Sequence, residues 1–192
     1  QPLFAFSDLA LAVFYLFSNP YRICRKFLQS KGFSFIHAYG ETPLTTLEHI
    51  VKTFEITSKD RWLELGSGRG KTCLWLSLYW GCTVRGIDWV PQFADRASLL
   101  ARLFSLPRLS FFRQSFHEAD FSWPTVVFLY STCMSNQEIN NLLLSMKTLP
   151  DKAKVITISA PLTHPNYRLL SSTFVSFPWG KTKAYLQEYF KK

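Results

Sequence analysis

The sequence predicts an α/β fold built on a mostly parallel sheet that ends in an antiparallel hairpin. From residue 37 onward, strand patterns alternate with helix patterns, which is typical of a parallel sheet covered by helices on both sides. The strands are rich in Val, Ile, Leu and Phe, as expected where both faces of a sheet are buried. Near the C-terminus, two extended segments flank the turn Pro178-Trp179-Gly180, which predicts the hairpin.

The bounds of the elements follow from hydrophobic spacing and from the Gly and Pro residues that end or begin them. Gly81 suits the end of a helix and Pro91 suits the first turn of the next one. We predict parallel strands at residues 61–65, 83–88, 109–113, 125–130 and 154–159 and hairpin strands at 173–177 and 182–189. We predict helices at residues 45–54, from Leu74 to Gly81, from Pro91 to near Pro107, and at 137–146.

Residues 1–36 are predicted to form a helical appendage to a single domain that spans residues 37–192. Residues 3–17 are strongly apolar, but they include Asp8 and are fewer than the roughly 20 residues that a membrane-spanning helix needs. A basic cluster follows, made of Arg22, Arg25, Lys26 and Lys31. Two interpretations stay open: residues 1–31 lie on an anionic membrane surface, or they pack against the domain itself.

Composition limits the classes of function further. With 47% hydrophobic and 18% charged residues, the chain can bury a core and is not a disordered tail. The net charge of +9 favours an acidic partner, which includes a nucleic acid, an anionic membrane surface or an acidic protein. The four Cys residues form neither a CxxC pair nor a zinc-type spacing, so we predict no metal site and a reducing compartment. We therefore expect a cytoplasmic location, with membrane association as an alternative.

A glycine-rich segment at the end of the first predicted strand carries the main functional signal. Glu64 precedes Gly66, Gly68 and Gly70 in the pattern E-x-G-x-G-x-G. Glycines allow the backbone to turn sharply and to approach a ligand closely, and α/β folds bind ligands at this edge of the sheet. The dinucleotide fingerprint G-x-G-x-x-G has a different last spacing, and an acid before the glycines suits a cationic amino-acid group better than a pyrophosphate. The pattern favours S-adenosylmethionine over NAD.

Asp88 ends the second predicted strand and strengthens this interpretation. A carboxylate at that position can accept two hydrogen bonds from a ribose diol. An alternative is that Asp88 only caps the helix that follows. The glycine segment, the acid before it and the acid after the second strand are together more specific than a glycine motif alone.

The chain resembles class I S-adenosylmethionine methyltransferases, and among them the non-SET histone-lysine methyltransferases named for disruption of telomeric silencing. Three segments carry the resemblance: Tyr39-Gly40-Glu41-Thr42, the segment from Leu63 to Gly70, and Val126-Val127-Phe128-Leu129 followed by Tyr130 and Ser131. The resemblance extends from about Tyr39 to Ala160. It implies a Rossmann-like class I methyltransferase fold, in agreement with the element order.

The resemblance also implies roles for individual residues. Tyr39 and Thr42 would belong to a lid, residues 39–42, over the methionine end of the cofactor, and Glu64 and Lys71 would line the same end. Asp88 would hold the ribose. The adenine would lie between the two residues Ser115 and Phe116.

Two departures from known patterns leave the methyl acceptor open. Tyr130 stands where the resembled family has an Asn in its substrate channel, and the Asn/Asp-Pro-Pro-aromatic signature of many amide and base methyltransferases is absent. The apolar N-terminal residues also resemble those of small membrane-tethered lysine methyltransferases.

We predict methyl transfer from S-adenosylmethionine to the ε-amine of a protein lysine, with Tyr39 and Tyr130 lining the channel of the amine. Two alternatives stay open at this stage. One is an RNA or small-molecule methyltransferase of the same fold, and the other is a cofactor-binding, membrane-associated module without catalysis.

Overall fold

A seven-stranded sheet forms the centre of the computed structural model, which describes residues 2–33, 39–130 and 134–191. The strand order is β3-β2-β1-β4-β5-β7-β6; β1 to β5 run parallel, and β7 pairs antiparallel with both β5 and β6. The strands are β1 (Arg61–Leu65), β2 (Thr83–Asp88), β3 (Leu109–Arg113), β4 (Val126–Tyr130), β5 (Lys154–Ile158), β6 (Tyr167–Phe177) and β7 (Gly180–Tyr189).

Helices cover both faces of this sheet. They are α1 (Pro2–Phe14), α2 (Pro20–Ser30), α3 (Leu44–Thr53), α4 (Lys71–Trp75), α5 (Pro91–Leu103) and α6 (Asn136–Ser145). A π-helical turn, Leu76–Trp80, continues α4, and 3₁₀ turns occupy Phe116–Glu118 and Met146–Thr148. Gly81 ends the π-helical turn in the left-handed conformation, as expected of a glycine at the end of a helix.

Alternate residues of each strand point into two separate apolar cores. Trp62 and Phe128 face the larger core, which α1, α3, α4 and α5 cover, and their rings stack 5.3 Å apart. Leu63 and Val127 face the smaller core, together with Leu142 of α6. Because both faces are covered, the central strands β4 and β5 are mostly apolar, which is why their sequence pattern predicts a parallel sheet.

The strand order reverses between β1 and β4, since β2 and β3 lie on one side of β1 and β4 lies on the other. Loops that leave the carboxyl ends of two such strands diverge and leave a crevice between them. The carboxyl ends of β1, β2 and β4 therefore lie at one edge of the sheet. This edge carries the residues that the sequence singles out.

The sequence-based prediction of a mostly parallel sheet with an antiparallel C-terminal hairpin is confirmed. The largest difference is in the hairpin, whose first strand begins at Tyr167 rather than at residue 173. A register shift between Leu169 and Ser171 interrupts the alternation of side chains there. Leu169 and Leu170 are also exposed, so the usual apolar–polar alternation of a strand is hidden in this part of the sequence.

The N-terminal appendage is a pair of helices, and the first of them covers part of the domain. α1 packs against α4 and α5 and buries Ser7 and Leu11, and Tyr15 in the turn after α1 is buried as well. This packing agrees with the interpretation that residues 1–31 associate with the domain itself. The predicted boundary after residue 36 lies outside the described residues. No helix in the described ranges is long and apolar enough to cross a membrane.

Tyr15 is the main anchor of the appendage. The guanidinium groups of Arg69 and Arg96 lie over its ring, at 5.2 and 4.7 Å from the ring centre. Arg96 also donates hydrogen bonds to the carbonyl oxygen of Phe14 at 3.0 Å and to the hydroxyl of Ser18 at 3.3 Å. The turn after α1 is thus fixed to α5.

Replacing Tyr15 by Ala should lower the free energy of unfolding by about 3 kcal/mol, because a large buried ring and two cation–π contacts are lost. Chemical denaturation measures this change. The matched control is Phe17→Ala in the same turn, where the side chain is 96% exposed and the change should stay within about 0.5 kcal/mol. Equal effects of the two substitutions would contradict the described packing of α1.

Candidate functional site

The segment between β1 and α4, residues 66–70, forms a tight glycine loop at the switch in strand order. Gly68 has a φ of +54°, and a Cβ there would lie 3.2 Å from the ring of Tyr39. Gly70 has a φ of +84°, and a Cβ there would lie 2.6 Å from the ring of Phe111. Side chains at these two positions would be both strained and obstructed. Gly68 therefore permits the lid to approach the loop, and Gly70 permits the loop to pack against Phe111 of β3.

Asp88 connects the glycine loop to the end of β2. One carboxylate oxygen accepts a hydrogen bond from the backbone N–H of Gly68 and the other accepts one from Val90, both at 2.8 Å. Burial raises the pKa of Asp88 to about 6, and these two hydrogen bonds partly oppose that rise. Val90 is the N-cap residue of α5, and this helix has no side-chain cap there, so Asp88 fixes the turn before α5 rather than capping the helix. Each oxygen can still accept a further hydrogen bond from a ligand.

Glu64 lies in β1, two residues before Gly66 of the glycine loop, and is almost fully buried. The hydroxyl of Thr72 donates to one carboxylate oxygen at 2.6 Å, and the thiol of Cys73 approaches the other at 3.4 Å. Burial raises the pKa of Glu64 to about 7, against the lowering effect of these donors. Among the described residues, Glu64 has no ion pair. A buried carboxylate of this kind gains from a cationic ligand group.

The lid, residues 39–42, is held to the glycine loop by an ion pair. Glu41 accepts hydrogen bonds from the Nη2 atom of Arg69 at 2.7 Å, from its Nε atom, and from the hydroxyl of Tyr39. Burial alone would raise the pKa of Glu41, but the donors and the charge of Arg69 outweigh it, so the pKa lies below its ordinary value. Burial and the neighbouring Glu41 raise the pKa of Tyr39, whose hydroxyl stays protonated.

A second contact joins the lid to the end of β4. The hydroxyl groups of Thr42 and Tyr130 are 2.7 Å apart. Burial raises the pKa of Tyr130, so its hydroxyl also stays protonated in the neutral range. The ring of Tyr130 contacts those of Phe128 and Phe177, which fixes its direction.

The remaining candidate residues lie around the same crevice. Lys71, the first residue of α4, forms an ion pair with Asp8 of α1 at 3.1 Å. Ser115 begins the 3₁₀ turn after β3, where it forms a capping box with Glu118. The ring of Phe116 lies 3.7 Å from the position of a Cβ on Gly66. The structure thus brings the candidates for all three ends of the cofactor to one edge of the sheet.

Sequence reasoning assigned no role to Glu41, Arg69, Asp8 or Tyr15. Glu41 is part of the quoted lid motif and Arg69 is part of the glycine segment, so both were visible. Their pairing was not, because they are 28 positions apart and no periodic pattern connects them. Asp8 stood out only as the acid in an apolar stretch, and its ion pair with Lys71 spans 63 positions.

Comparison with known families gives one match over most of the chain. The model of the family described as histone methylation protein DOT1 matches residues 24–176. A search of curated proteins finds no match.

Solved structures with the same fold include several methyltransferases. An RNA methyltransferase from Salinibacter ruber, in complex with S-adenosyl-L-homocysteine, superposes with a TM-score of 0.63 at 19% identity, over 80% of this chain and 95% of that one. TrmN from Thermus thermophilus gives a TM-score of 0.65 at 14% identity, over 80% of this chain and 50% of that one. A putative methyltransferase from Escherichia coli gives 0.62 at 12% identity, over 80% and 90%. The Rossmann-like class I methyltransferase fold is thereby confirmed.

Binding of S-adenosylhomocysteine should depend on pH through Glu64. A cationic amino group favours the ionised carboxylate, and a pKa of about 7 in the free protein leaves that form scarce at pH 6. Affinity should therefore rise about twentyfold between pH 6 and pH 8, about tenfold through Glu64 and about twofold through Asp88, as measured by calorimetry. The same raised pKa means that Glu64 stabilises the free protein fully below about pH 4.5 and that this stability is lost as pH rises through about 7.

The control is Glu64→Gln, which should bind more weakly and lose most of the pH dependence. A rise of about twofold should persist, because the pKa of Asp88, about 6, lies at the lower end of this range. Equal affinities of the wild type and the variant, both constant between pH 6 and pH 8, would contradict this role of Glu64.

Proposed function

Since the chain belongs to the family of histone methylation protein DOT1, we propose that it transfers the methyl group of S-adenosylmethionine to the ε-amine of protein lysines. One observation carries the proposal: the lid lies on the glycine loop through Tyr39 and Gly68, and it meets the end of β4 through Thr42 and Tyr130. A site formed in this way has a cofactor cradle on one side of the lid and neutral hydroxyl groups on the other.

The described residues fit S-adenosylmethionine. The glycine loop forms the cradle: a Cβ on Gly68 would press on the ring of Tyr39, and a Cβ on Gly70 would clash with the ring of Phe111, so the loop needs glycine at both positions. Glu64 offers a buried carboxylate to a cationic amino group, and Asp88 offers free lone pairs to ribose hydroxyls. Phe116, beside Gly66, offers an apolar surface to adenine. When bound, the cofactor supplies an electrophilic methyl group on a sulfonium, and no metal ion is needed for this chemistry.

The protein has to present a neutral amine in line with the methyl group and to exclude water. An ammonium ion has no lone pair, so the amine must first lose a proton to solvent, and a partly buried channel lowers its pKa. The neutral amine would then take the methyl group, with S-adenosylhomocysteine as the leaving group. Tyr39 and Tyr130 are both partly buried and both keep their hydroxyl protons. Their hydroxyl groups therefore add no negative charge that would stabilise the ammonium form, and the carboxylate of Glu41 beside Tyr39 is neutralised by its ion pair with Arg69.

Tyr130 orients the amine rather than deprotonating it. Because its pKa is raised, Tyr130 keeps its proton near neutral pH, and little phenolate is present to act as a base toward the amine. The hydrogen bond between Tyr130 and Thr42 occupies one donor of the pair and leaves oxygen lone pairs that can accept an amine N–H. An amine held by its N–H has its own lone pair directed away from Tyr130, toward the methyl group.

Replacing Tyr130 by Phe should lower kcat for lysine methylation by about tenfold, the loss expected for one orienting hydrogen bond of about 1.4 kcal/mol. The affinity for S-adenosylhomocysteine should change by less than about twofold, because Glu41 and Arg69 still hold the lid to the glycine loop when the contact with Thr42 is lost. Mass spectrometry of a lysine-containing protein substrate measures the product, and calorimetry measures the affinity.

Tyr79→Phe is the matched control, because Tyr79 is exposed and stacks on Trp75, away from the lid. It should leave kcat unchanged. Labelled methyl groups found only in RNA, lipid or small molecules would refute the lysine assignment. Cofactor binding without any methylated product would favour a non-catalytic module instead.

A further inference from the structure

The outward face of α1 and the turn after it are apolar. Phe6, Leu9 and Val13 recur at the spacing of one helical face and expose 63%, 63% and 59% of their surface. Leu16 and Phe17 continue this face into the turn, with Phe17 almost fully exposed. We call these five residues the α1 stripe. Soluble monomers rarely expose a contiguous patch of large apolar side chains, so the stripe indicates a contact partner.

A cationic rim borders the stripe. Arg22, Arg25 and Lys26 are exposed on α2, and Arg22 and Lys26 line the same open depression as Leu16 and Phe17. Lys31 lies over the ring of Trp89 instead, at 5.4 Å from its centre. Asp8 is the single acidic residue of the appendage up to residue 33, and its charge is paired with Lys71. The stripe is therefore apolar throughout, and the rim carries only positive charges.

We propose that the α1 stripe and the cationic rim dock the protein on an anionic membrane surface, with α1 lying in the plane of the interface. One side of α1, with Ser7 and Leu11, packs on the domain, so the opposite, apolar side lies along the surface of the protein. Apolar side chains would enter the interface while the basic side chains meet the headgroups, which is the arrangement of interfacial helices. Tyr21, exposed between stripe and rim, has the amphipathic ring found at such boundaries.

A second copy of the chain fits this face less well. The outward side of a helix about 20 Å long and about 10 Å wide amounts to a few hundred Å². Stable protein–protein interfaces bury about 800 Å² on each partner. The cationic rim would also face its own counterpart in a symmetric dimer. Area and charge both favour a lipid surface.

The docking surface reaches the lid. The ring of Tyr21 contacts that of Tyr39 edge-on, with centres 5.0 Å apart. The opening of the candidate active site therefore lies next to the proposed membrane contact. The inference goes beyond the proposed function and can fail separately from it, because neither the stripe nor the rim contains a residue assigned to the reaction.

Flotation of the full chain with vesicles tests the inference. With vesicles of 30% phosphatidylglycerol and 70% phosphatidylcholine at low salt, the protein should float, and raising the salt should release it. The triple substitution Arg22→Gln, Arg25→Gln, Lys26→Gln should weaken binding on the order of a hundredfold, as expected for three basic residues near an anionic surface. The matched control Lys59→Gln, Lys147→Gln, Lys181→Gln removes the same charge from exposed positions elsewhere and should change binding by less than about threefold.

A second variant, Phe6→Gln, Leu9→Gln, Val13→Gln, separates lipid contact from folding. These side chains are exposed, and Gln is a good helix former, so the thermal midpoint should stay the same while vesicle binding is lost. Wild-type protein that stays in the soluble fraction at low salt would overturn the proposal. So would equal binding of the two charge variants. Sedimentation that shows a dimer, converted to monomer by the Gln variant, together with no flotation, would assign the stripe to a second copy.

Discussion

The site depends on the hydrogen bond from the backbone N–H of Gly68 to the carboxylate of Asp88. This bond ties the glycine loop after β1 to the end of β2 and fixes where Gly68 lies. The ring of Tyr39 rests on Gly68, and Arg69, the next residue, holds Glu41 of the lid. The position of the whole lid therefore follows from one loop conformation. That conformation exists because glycines occupy the left-handed positions.

Two buried carboxylates make this arrangement costly in the free protein. Burial raises the pKa of both Glu64 and Asp88, which means that ionising them there is unfavourable. A ligand that supplies an amino cation to Glu64 and hydroxyl donors to Asp88 offsets that cost. The electrostatics of the crevice thus favour a ligand with both groups, which S-adenosylmethionine has. A pyrophosphate would add negative charge beside Glu64 and be disfavoured.

The sequence predicts those features that are local along the chain. The glycine loop, Glu64 and Asp88 follow directly from two apolar strands, and the sheet order then brings them together. Some contacts join elements that are distant in the chain, and hydrophobic spacing carries no information about them. Examples are the ion pair of Glu41 with Arg69 and the contacts of the Tyr15 ring with Arg69 and Arg96. Likewise, the bulge after Leu169 hides the start of β6. The sequence also leaves the methyl acceptor open, because the residues at the end of β4, including Tyr130, match no familiar acceptor motif.

The most direct measurement is a crystal structure of the protein with S-adenosylhomocysteine bound. The account requires the amino group of the ligand within hydrogen-bond distance of Glu64, both ribose hydroxyls on Asp88, and the adenine against Phe116. The homocysteine sulfur should point under the lid, toward the hydroxyl groups of Thr42 and Tyr130. A ligand bound elsewhere, or with its ribose away from Asp88, would contradict the central claim that this edge of the sheet is the cofactor site.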